Sequence, residues 1–399
     1  MRVTESTSNL HLPIVKESVL VMSNGLYVTL KVSLRCNFAC RYCYGRENEH
    51  LGEEMTDEEV IRGLDFICQY AKMKSIHRIF ICWHGGEPLI IGKSRLEKLL
   101  DYAAGLFEKN SIRCMFGIQT NGFLLNESLY PLFRQYFDSN IGVSVDLYSK
   151  FRKLLNGKDS TPIILRKIED ALNAGIKINV INLLTKHNVS HIEEIYDYYK
   201  KRDIDVRFAM VFPLSNNFDR RNPMYLSSEE YADALCQYFD LWAKDSNPAK
   251  NTDIIRLISD MLYGKPSICI RGNNCQNTYM AFSPNGKIFP CAEFDTEDSV
   301  IGNFLSQSPE EFDVSNTRQL FYKQTPIPSN CLDCKFYKIC FGSCLRERFV
   351  LKYPYRCDSN RIYWGHVLKW LESKGGSLYL LENKTVEERK RIIQETFKR

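Results

Sequence analysis

A chain of 399 residues, 44% apolar and 25% charged, has the make-up of an ordinary globular protein and is long enough for two or three domains. Fifty-three basic against 48 acidic residues leave a net charge of +5, too mild an excess to demand a nucleic acid partner. No apolar run approaches the ~20 residues that span a bilayer, and residues 1–12 are too polar for a signal peptide, so the expected location is the cytoplasm, away from any membrane.

Residues 18–34 predict two strands, Ser18–Met22 and Leu26–Leu34, around an Asn24-Gly25 turn. The second strand leads into Leu34-Arg35-Cys36-Asn37-Phe38-Ala39-Cys40-Arg41-Tyr42-Cys43. A helix is expected from Thr56, with Glu59 completing a capping box, to about Met73. Arg78–Trp83 predicts a strand that runs into His84-Gly85-Gly86-Glu87-Pro88, and Ser94 with Glu97 predicts the next helix start. Further strands are expected at Arg113–Gln119, Ile141–Asp146, Lys177–Leu184 and Asp205–Val211. Helices between them are expected to open at Asn126, near Pro162, and at Ser190 with Glu193. Six alternations of strand and helix argue for a parallel sheet with right-handed crossovers. A full or partial TIM-like barrel follows, with the chemistry in the loops after the strands, and a doubly wound open sheet is the alternative.

Beyond this unit, Pro213–Leu226 forms a polar loop with Asp219, Arg220, Arg221 and Tyr225, expected to overhang the active side. Ser227 with Glu230 caps a helix to about Lys244, and Asp253–Tyr263 predicts another. Asn285-Gly286 predicts a hairpin that returns Cys291 toward Cys275. Helices are also expected over Ser359–Lys374 and from Thr385, with Glu388 as its cap.

Fifteen cysteines without an export signal point to metal or redox chemistry rather than to disulfides. Cys68, Cys82, Cys114 and Cys236 stand singly in apolar patterns and read as core residues. Cys36, Cys40 and Cys43 have the spacing C-x3-C-x2-C, so that one loop can present three thiols to one cluster. A four-iron cubane needs four ligands, and three cysteines leave one iron open for chemistry. A zinc site completed by His50, or scattered core cysteines, is the plainer reading of this triplet. Eight more cysteines fall between Cys269 and Cys357, enough to close two four-iron clusters, although the Cys-x2-Cys pair also suits zinc.

The triplet, with Tyr42 before its third cysteine, resembles the signature of the radical S-adenosylmethionine (SAM) enzymes, and Gly85-Gly86-Glu87-Pro88 resembles their GGEP motif. Cys275-x10-Gly286-x4-Cys291, followed by Cys331, Cys334, Cys340, Cys344 and Cys357, resembles the seven-cysteine SPASM pattern of the same family. The resemblance covers roughly residues 26–360 and implies an α/β fold, a partial (β/α)6 TIM-like barrel with a C-terminal auxiliary iron–sulfur domain. The expected division is an N-terminal hairpin segment (1–25), the barrel (26–226), a helical bridge (227–268), the SPASM domain (269–360) and a C-terminal helical segment (361–399).

Three 4Fe–4S clusters are implied. Cys36, Cys40 and Cys43 would hold the SAM-binding cluster; Cys269, Cys275, Cys291 and Cys344 the first auxiliary cluster; Cys331, Cys334, Cys340 and Cys357 the second. By the same resemblance Tyr42, Gly86, Glu87, Asn121, Ser144, Asp146 and Arg152 surround SAM, with Gly86 and Glu87 at its amino group and Arg152 at its carboxylate. The loop Leu147-Tyr148-Ser149-Lys150 is shorter than the family's counterpart.

The implied chemistry is one-electron cleavage of SAM to a 5′-deoxyadenosyl radical, hydrogen abstraction from a ribosomally made peptide or protein, and oxidative modification or cross-linking (thioether, carbon–carbon or carbon–oxygen). A flavodoxin- or ferredoxin-type electron donor is the implied partner. Related anaerobic sulfatase-maturing enzymes place an aspartate just after the cysteine matching Cys291, whereas Ala292 and then Glu293 follow here. Sulfatase maturation and small-substrate dehydrogenation therefore rank second. The 35 residues before Cys36 are too few for a separate peptide-recognition domain, so leader recognition would use another surface or a partner protein. The rival from another class is a non-catalytic zinc or nucleic-acid-binding module.

Overall fold

The computed structural model describes residues 25–46, 52–213, 215, 218–266, 275–385, 387–389 and 391–392. The expected strand Ser18–Met22, Asn24 of its turn, His50 and Cys269 lie outside the described residues.

Six strands, β1 (Gly25–Ser33), β2 (Arg78–Gly85), β3 (Arg113–Thr120), β4 (Asn140–Ser144), β5 (Lys177–Leu184) and β6 (Asp205–Met210), pair in chain order. Every one of these pairings is parallel. A doubly wound sheet needs a reversal of strand order, and none occurs here. Helices α1 (Asp57–Met73), α2 (Lys93–Lys109), α3 (Tyr130–Tyr136), α4 (Thr161–Asn173) and α5 (Ile192–Lys201) make the crossovers. β6 stays at one edge of the sheet, so the barrel is partial, as expected. β1 is buried along almost its whole length, the mark of a parallel strand covered on both faces.

Two helix starts follow the sequence closely. Thr56 with Glu59, and Ser227 with Glu230 before α6 (Ser228–Lys244), form complete capping boxes. Two others differ. α2 begins after Gly92, whose φ of 83° serves the turn, and no side chain caps it, so Ser94 lies inside the helix. Ser190 lies in a single 3-10 turn, Val189–His191, and α5 starts only at Ile192. Asn188 opens that turn and holds the backbone amide of Thr185 instead. α7 (Thr252–Tyr263) is capped by Asn251 and closed by Gly264 in the left-handed region.

The cysteine-rich C-terminal region does not form a sheet of its own. After the one-turn helix α8 (Cys275–Thr278), β7 (Tyr279–Phe282) pairs parallel with β1, placing Tyr27 opposite Tyr279 and Leu30 opposite Phe282. β8 (Lys287–Phe289) and β9 (Gly302–Asn303) extend it antiparallel, giving nine strands in the order β6-β5-β4-β3-β2-β1-β7-β8-β9. The turn between β7 and β8 is the expected one, with Asn285 and Gly286 both at positive φ. Four apolar residues are too few to announce a strand by periodicity, and their partner lies about 250 positions away in the chain. The seam is aromatic: Phe66 meets Phe282 and Phe312 edge-on at 5.8 and 5.7 Å, and Phe304 lies 5.2 Å from Phe282. Gly63 of α1 packs beside Phe282 and Phe304, where an added Cβ would stand 3.5 and 3.6 Å from their rings, an ordinary contact.

Short helices α9 (Pro309–Asp313), α10 (Asn316–Lys323), α11 (Tyr337–Cys340) and α12 (Leu345–Val350) lead to α13 (Cys357–Ser373). α13 packs on α6 through Trp370, 5.4 Å from Phe239 and 6.3 Å from Trp242. Among the described residues no helix is long and apolar enough to cross a membrane.

Phe282 is fully buried where the two regions share their core. Phe282→Ala is expected to cost about 3–5 kcal/mol, read as a lowered urea midpoint for the whole chain, because the sheet is continuous.

Candidate active site

Each parallel strand ends on the same side, and the sequence places its polar residues there. The loop carrying Cys36, Cys40 and Cys43 leaves β1 and is held by backbone hydrogen bonds from three directions. Leu34 N–H donates to Glu53 O at 2.8 Å, Ala39 to Lys153 O at 2.7 Å, and Arg41 to Phe151 O at 3.0 Å. The turn after β2 lies directly against the same loop. Gly86 donates to Ser33 O at 2.8 Å and Glu87 to Arg35 O at 2.9 Å. A Cβ on Gly86 would stand 2.3 Å from Arg35 O and 2.6 Å from Leu34 O, so only glycine allows this approach.

Glu87 is fully buried. Its carboxylate accepts from the Leu89 amide at 3.1 Å, the Thr120 hydroxyl at 2.7 Å and the Asn121 amide at 2.7 Å. The group expected to meet an ammonium thus ties the end of β2 to the end of β3, with both oxygens engaged. Burial raises its pKa and these donors oppose the rise. Asn121 turns its side-chain amide to Asn37 Oδ1 at 2.7 Å and to Cys36 Sγ at 3.8 Å. Ser144 accepts from Gln119 Nε2 at 2.9 Å.

Asp146, just past β4, receives the Tyr42 hydroxyl and, at 2.9 Å, the Leu183 amide. Arg152 is buried with its Nε 3.6 Å from Asp146 and its guanidinium 5.9 Å from the Tyr42 ring centre. The structure therefore brings Tyr42, Asp146 and Arg152 together beside Cys40, and Gly86, Glu87 and Asn121 together beside Cys36. Ser144 joins Gln119 one strand further on. Sequence reasoning missed Asn37, which lies inside the cysteine loop and carries no motif of its own.

The other cysteines fall into two groups. Cys331, Cys334, Cys340 and Cys357 line one cavity of about 70 Å³, walled also by Phe336 and Trp364. Cys275, Cys291 and Cys344 stand near enough for their charges to interact. Of the four singletons, Cys68 is buried, whereas Cys82, Cys114 and Cys236 are only partly covered. Burial pushes the Cys36 and Cys340 thiols up to about 11. Among the described residues, no three His, Cys, Asp or Glu side chains converge closely enough to hold a single metal ion. Three thiols on one loop, and four around one cavity, have instead the chemistry of iron–sulfur ligands. Around the triplet, Arg152 Nε and Asn37 Nδ2 are buried donors without a hydrogen-bond acceptor among the described residues. Such donors fit an anionic group seated on the loop.

Lys31 and His84 face one another from β1 and β2 at the edge of this site. Lys31 Nζ donates to Phe294 O at 2.8 Å. His84 takes the Gly85 amide on Nδ1 at 2.7 Å, and burial, with Lys31 nearby, lowers its pKa to about 4.

Residues 30–199 match the family described as the Radical SAM superfamily. The chain is 27% identical over 386 residues to a serine-type anaerobic sulfatase-maturating enzyme of Bacteroides thetaiotaomicron, covering 87% of this chain and 90% of that one. It is 25% identical over 360 residues to a cysteine-type anaerobic sulfatase-maturating enzyme of Clostridium perfringens, covering 82% and 92%. Among solved structures, native anSMEcpe with bound AdoMet and Cp18Cys peptide superposes with a TM-score of 0.76 at 23% identity, over 88% of this chain and 98% of that chain. Streptococcus suis SuiB bound to precursor peptide SuiA gives 0.60 at 17% identity, over 83% and 74%. These two likenesses establish the fold.

Gly86→Ala is expected to push the Glu87 turn off the cysteine loop, lowering SAM affinity by at least tenfold while circular dichroism stays native. Because His84 has a lower pKa folded (about 4) than unfolded (6.5), the unfolded chain binds more protons between these values. Stability should therefore fall as pH drops from 6.5 toward 4, by on the order of 2 kcal/mol. Urea midpoints of wild type and His84→Phe across that range measure the difference.

Proposed function

From a chain that belongs to the radical SAM superfamily and is related to the anaerobic sulfatase maturases, we propose an enzyme that removes hydrogen from a ribosomally made peptide or protein and leaves it oxidised or cross-linked. The bond formed would be a thioether, carbon–carbon or carbon–oxygen link. The observation that carries this reading is the paired architecture: a three-cysteine loop at the C-terminal ends of a parallel partial barrel, joined through one sheet to a second cysteine-rich region. A family member of this kind uses a 4Fe–4S cluster and SAM, which together supply a 5′-deoxyadenosyl radical by one-electron cleavage.

This chain's residues divide the work. Cys36, Cys40 and Cys43 hold the cluster. Gly86 lets the backbone after β2 approach the cofactor, and Glu87 holds the ends of β2 and β3 at the spacing that the amino group needs. Arg152, whose Nε lies 3.6 Å from Asp146 but makes no hydrogen bond, takes the SAM carboxylate, a charge-assisted contact favoured by burial. Asp146 fixes Tyr42 under that guanidinium. Asn121 and Ser144 complete the polar wall toward the ribose and methionine portions. Cys275, Cys291 and Cys344, with Cys269, hold one auxiliary cluster; Cys331, Cys334, Cys340 and Cys357 hold another. A flavodoxin- or ferredoxin-type protein delivers electrons.

Sulfatase maturation is the second reading, and the sulfatase-maturating relatives favour it. Against it, the position just after Cys291 is Ala292, whose carbonyl accepts the Tyr44 hydroxyl at 3.1 Å. Only Glu293 could then serve as the base.

Replacing Cys36, Cys40 and Cys43 together by alanine should abolish SAM cleavage, and normal 5′-deoxyadenosine production by that variant would refute the assignment. Three clusters predict about twelve irons per chain in anaerobically reconstituted protein, dropping to about eight in the same variant; zinc in place of iron would support the non-catalytic alternative. Mass spectrometry of a small peptide co-produced with the enzyme identifies the modification.

A further inference from the structure

α12 begins at Leu345, directly after Cys344, and its second residue is Arg346. The Arg346 side chain is buried, with the residue only 5% exposed. Its guanidinium lies 4.1 Å from the ring centre of Phe212 and 5.6 Å from that of Tyr44. Phe212 follows the end of β6, and Tyr44 follows Cys43. The cation therefore sits between the last barrel strand, the three-cysteine loop and the Cys291–Cys344 group.

Three other arginines of the C-terminal region show what a buried guanidinium ordinarily does in this fold. Arg356 pairs with Glu347, Arg348 donates to the carbonyls of Gly342 and Ser343, and Arg318 pairs with Asp313 at 2.9 Å. Arg346 has no such arrangement. Among the described residues no carbonyl accepts from it and no carboxylate forms an ion pair with it; the two aromatic faces are its contacts. Asp295 and Glu293 lie in the same neighbourhood, beside Lys31, which also bears on them. A largely covered guanidinium with no protein acceptor is a costly arrangement that an anion would relieve. The two rings hold its position but leave its N–H donors unengaged.

We propose that Arg346 is the anion-recognition point of the substrate site, taking a carboxylate of the bound peptide beside the rings of Tyr44 and Phe212. The inference rests on the peptide-modifying reading above and adds a specificity to it. A planar fork held beside two aromatic rings suits a carboxylate bidentately. Two sources share that chemistry: an Asp or Glu side chain, and a free C-terminal carboxylate.

The test uses reconstituted holoenzyme, immobilised anaerobically, and a synthetic peptide library of randomised sequence made with free and with amidated C termini. Retained peptides are read by mass spectrometry. Wild type should enrich carboxylate-bearing peptides about tenfold over neutral amidated ones, the scale of a hydrogen bond to a charged group. Enrichment of acidic sequences in the amidated half assigns the side chain, and enrichment only in the free half assigns the C terminus. Arg346→Gln should lose the bias, and Arg346→Lys, which keeps the charge without the fork, should keep a few-fold. Equal retention of neutral and acidic peptides by wild type, or an unchanged bias in Arg346→Gln, overturns the inference and leaves the peptide-modifying reading standing. Retention of no peptide at all overturns both.

Discussion

The site depends on how closely two loops can approach at the end of the sheet. Gly86 lies against the backbone of residues 34 and 35 with no room for a side-chain carbon, and Glu87 then draws Thr120 and the Asn121 amide inward. One buried carboxylate thereby holds the ends of β2 and β3 together beside the cysteine loop. The arrangement is expensive in isolation, since a carboxylate without water needs its donors in place. Those donors are backbone amides and a hydroxyl set by strands, so the sheet has to form before the site has a shape.

Much of this was legible in the sequence. The six barrel strands appear within a few residues of their expected bounds, because alternating strand and helix patterns with clear caps leave little freedom. Cysteine spacing marked the triplet, and resemblance to the seven-cysteine pattern supplied the division of the later cysteines. What sequence could not give was the partner of each polar side chain. Glu87 reads as a ligand-facing acid and is found holding two strands together. Asp146 and Tyr42 were each expected near a cofactor, yet their hydrogen bond to one another spans 104 positions and leaves no local trace. Ser94 and Ser190 obey the capping pattern and cap nothing, since Gly92 and Asn188 provide earlier turns.

The second cysteine-rich region adds its strands to the sheet of the first, a pairing that the sequence pattern did not announce. β1 would otherwise be an edge strand, offering unpaired backbone groups. β7 covers that edge, and the aromatic cluster around Phe282 closes behind it. A four-residue strand pairing parallel across the chain is a non-local contact of the sort that sequence patterns record least.

That continuity has a mechanical consequence. Two lobes joined by a linker can swing about it to admit a substrate, but strands sharing a hydrogen-bond ladder and a common core cannot open in that way. Above the strand ends, the Phe218 ring lies 4.8 Å from that of Tyr225 and 6.1 Å from that of Tyr355. The separation between the two cysteine-bearing regions is then a fixed dimension of the molecule, set by a shared ladder rather than by a hinge.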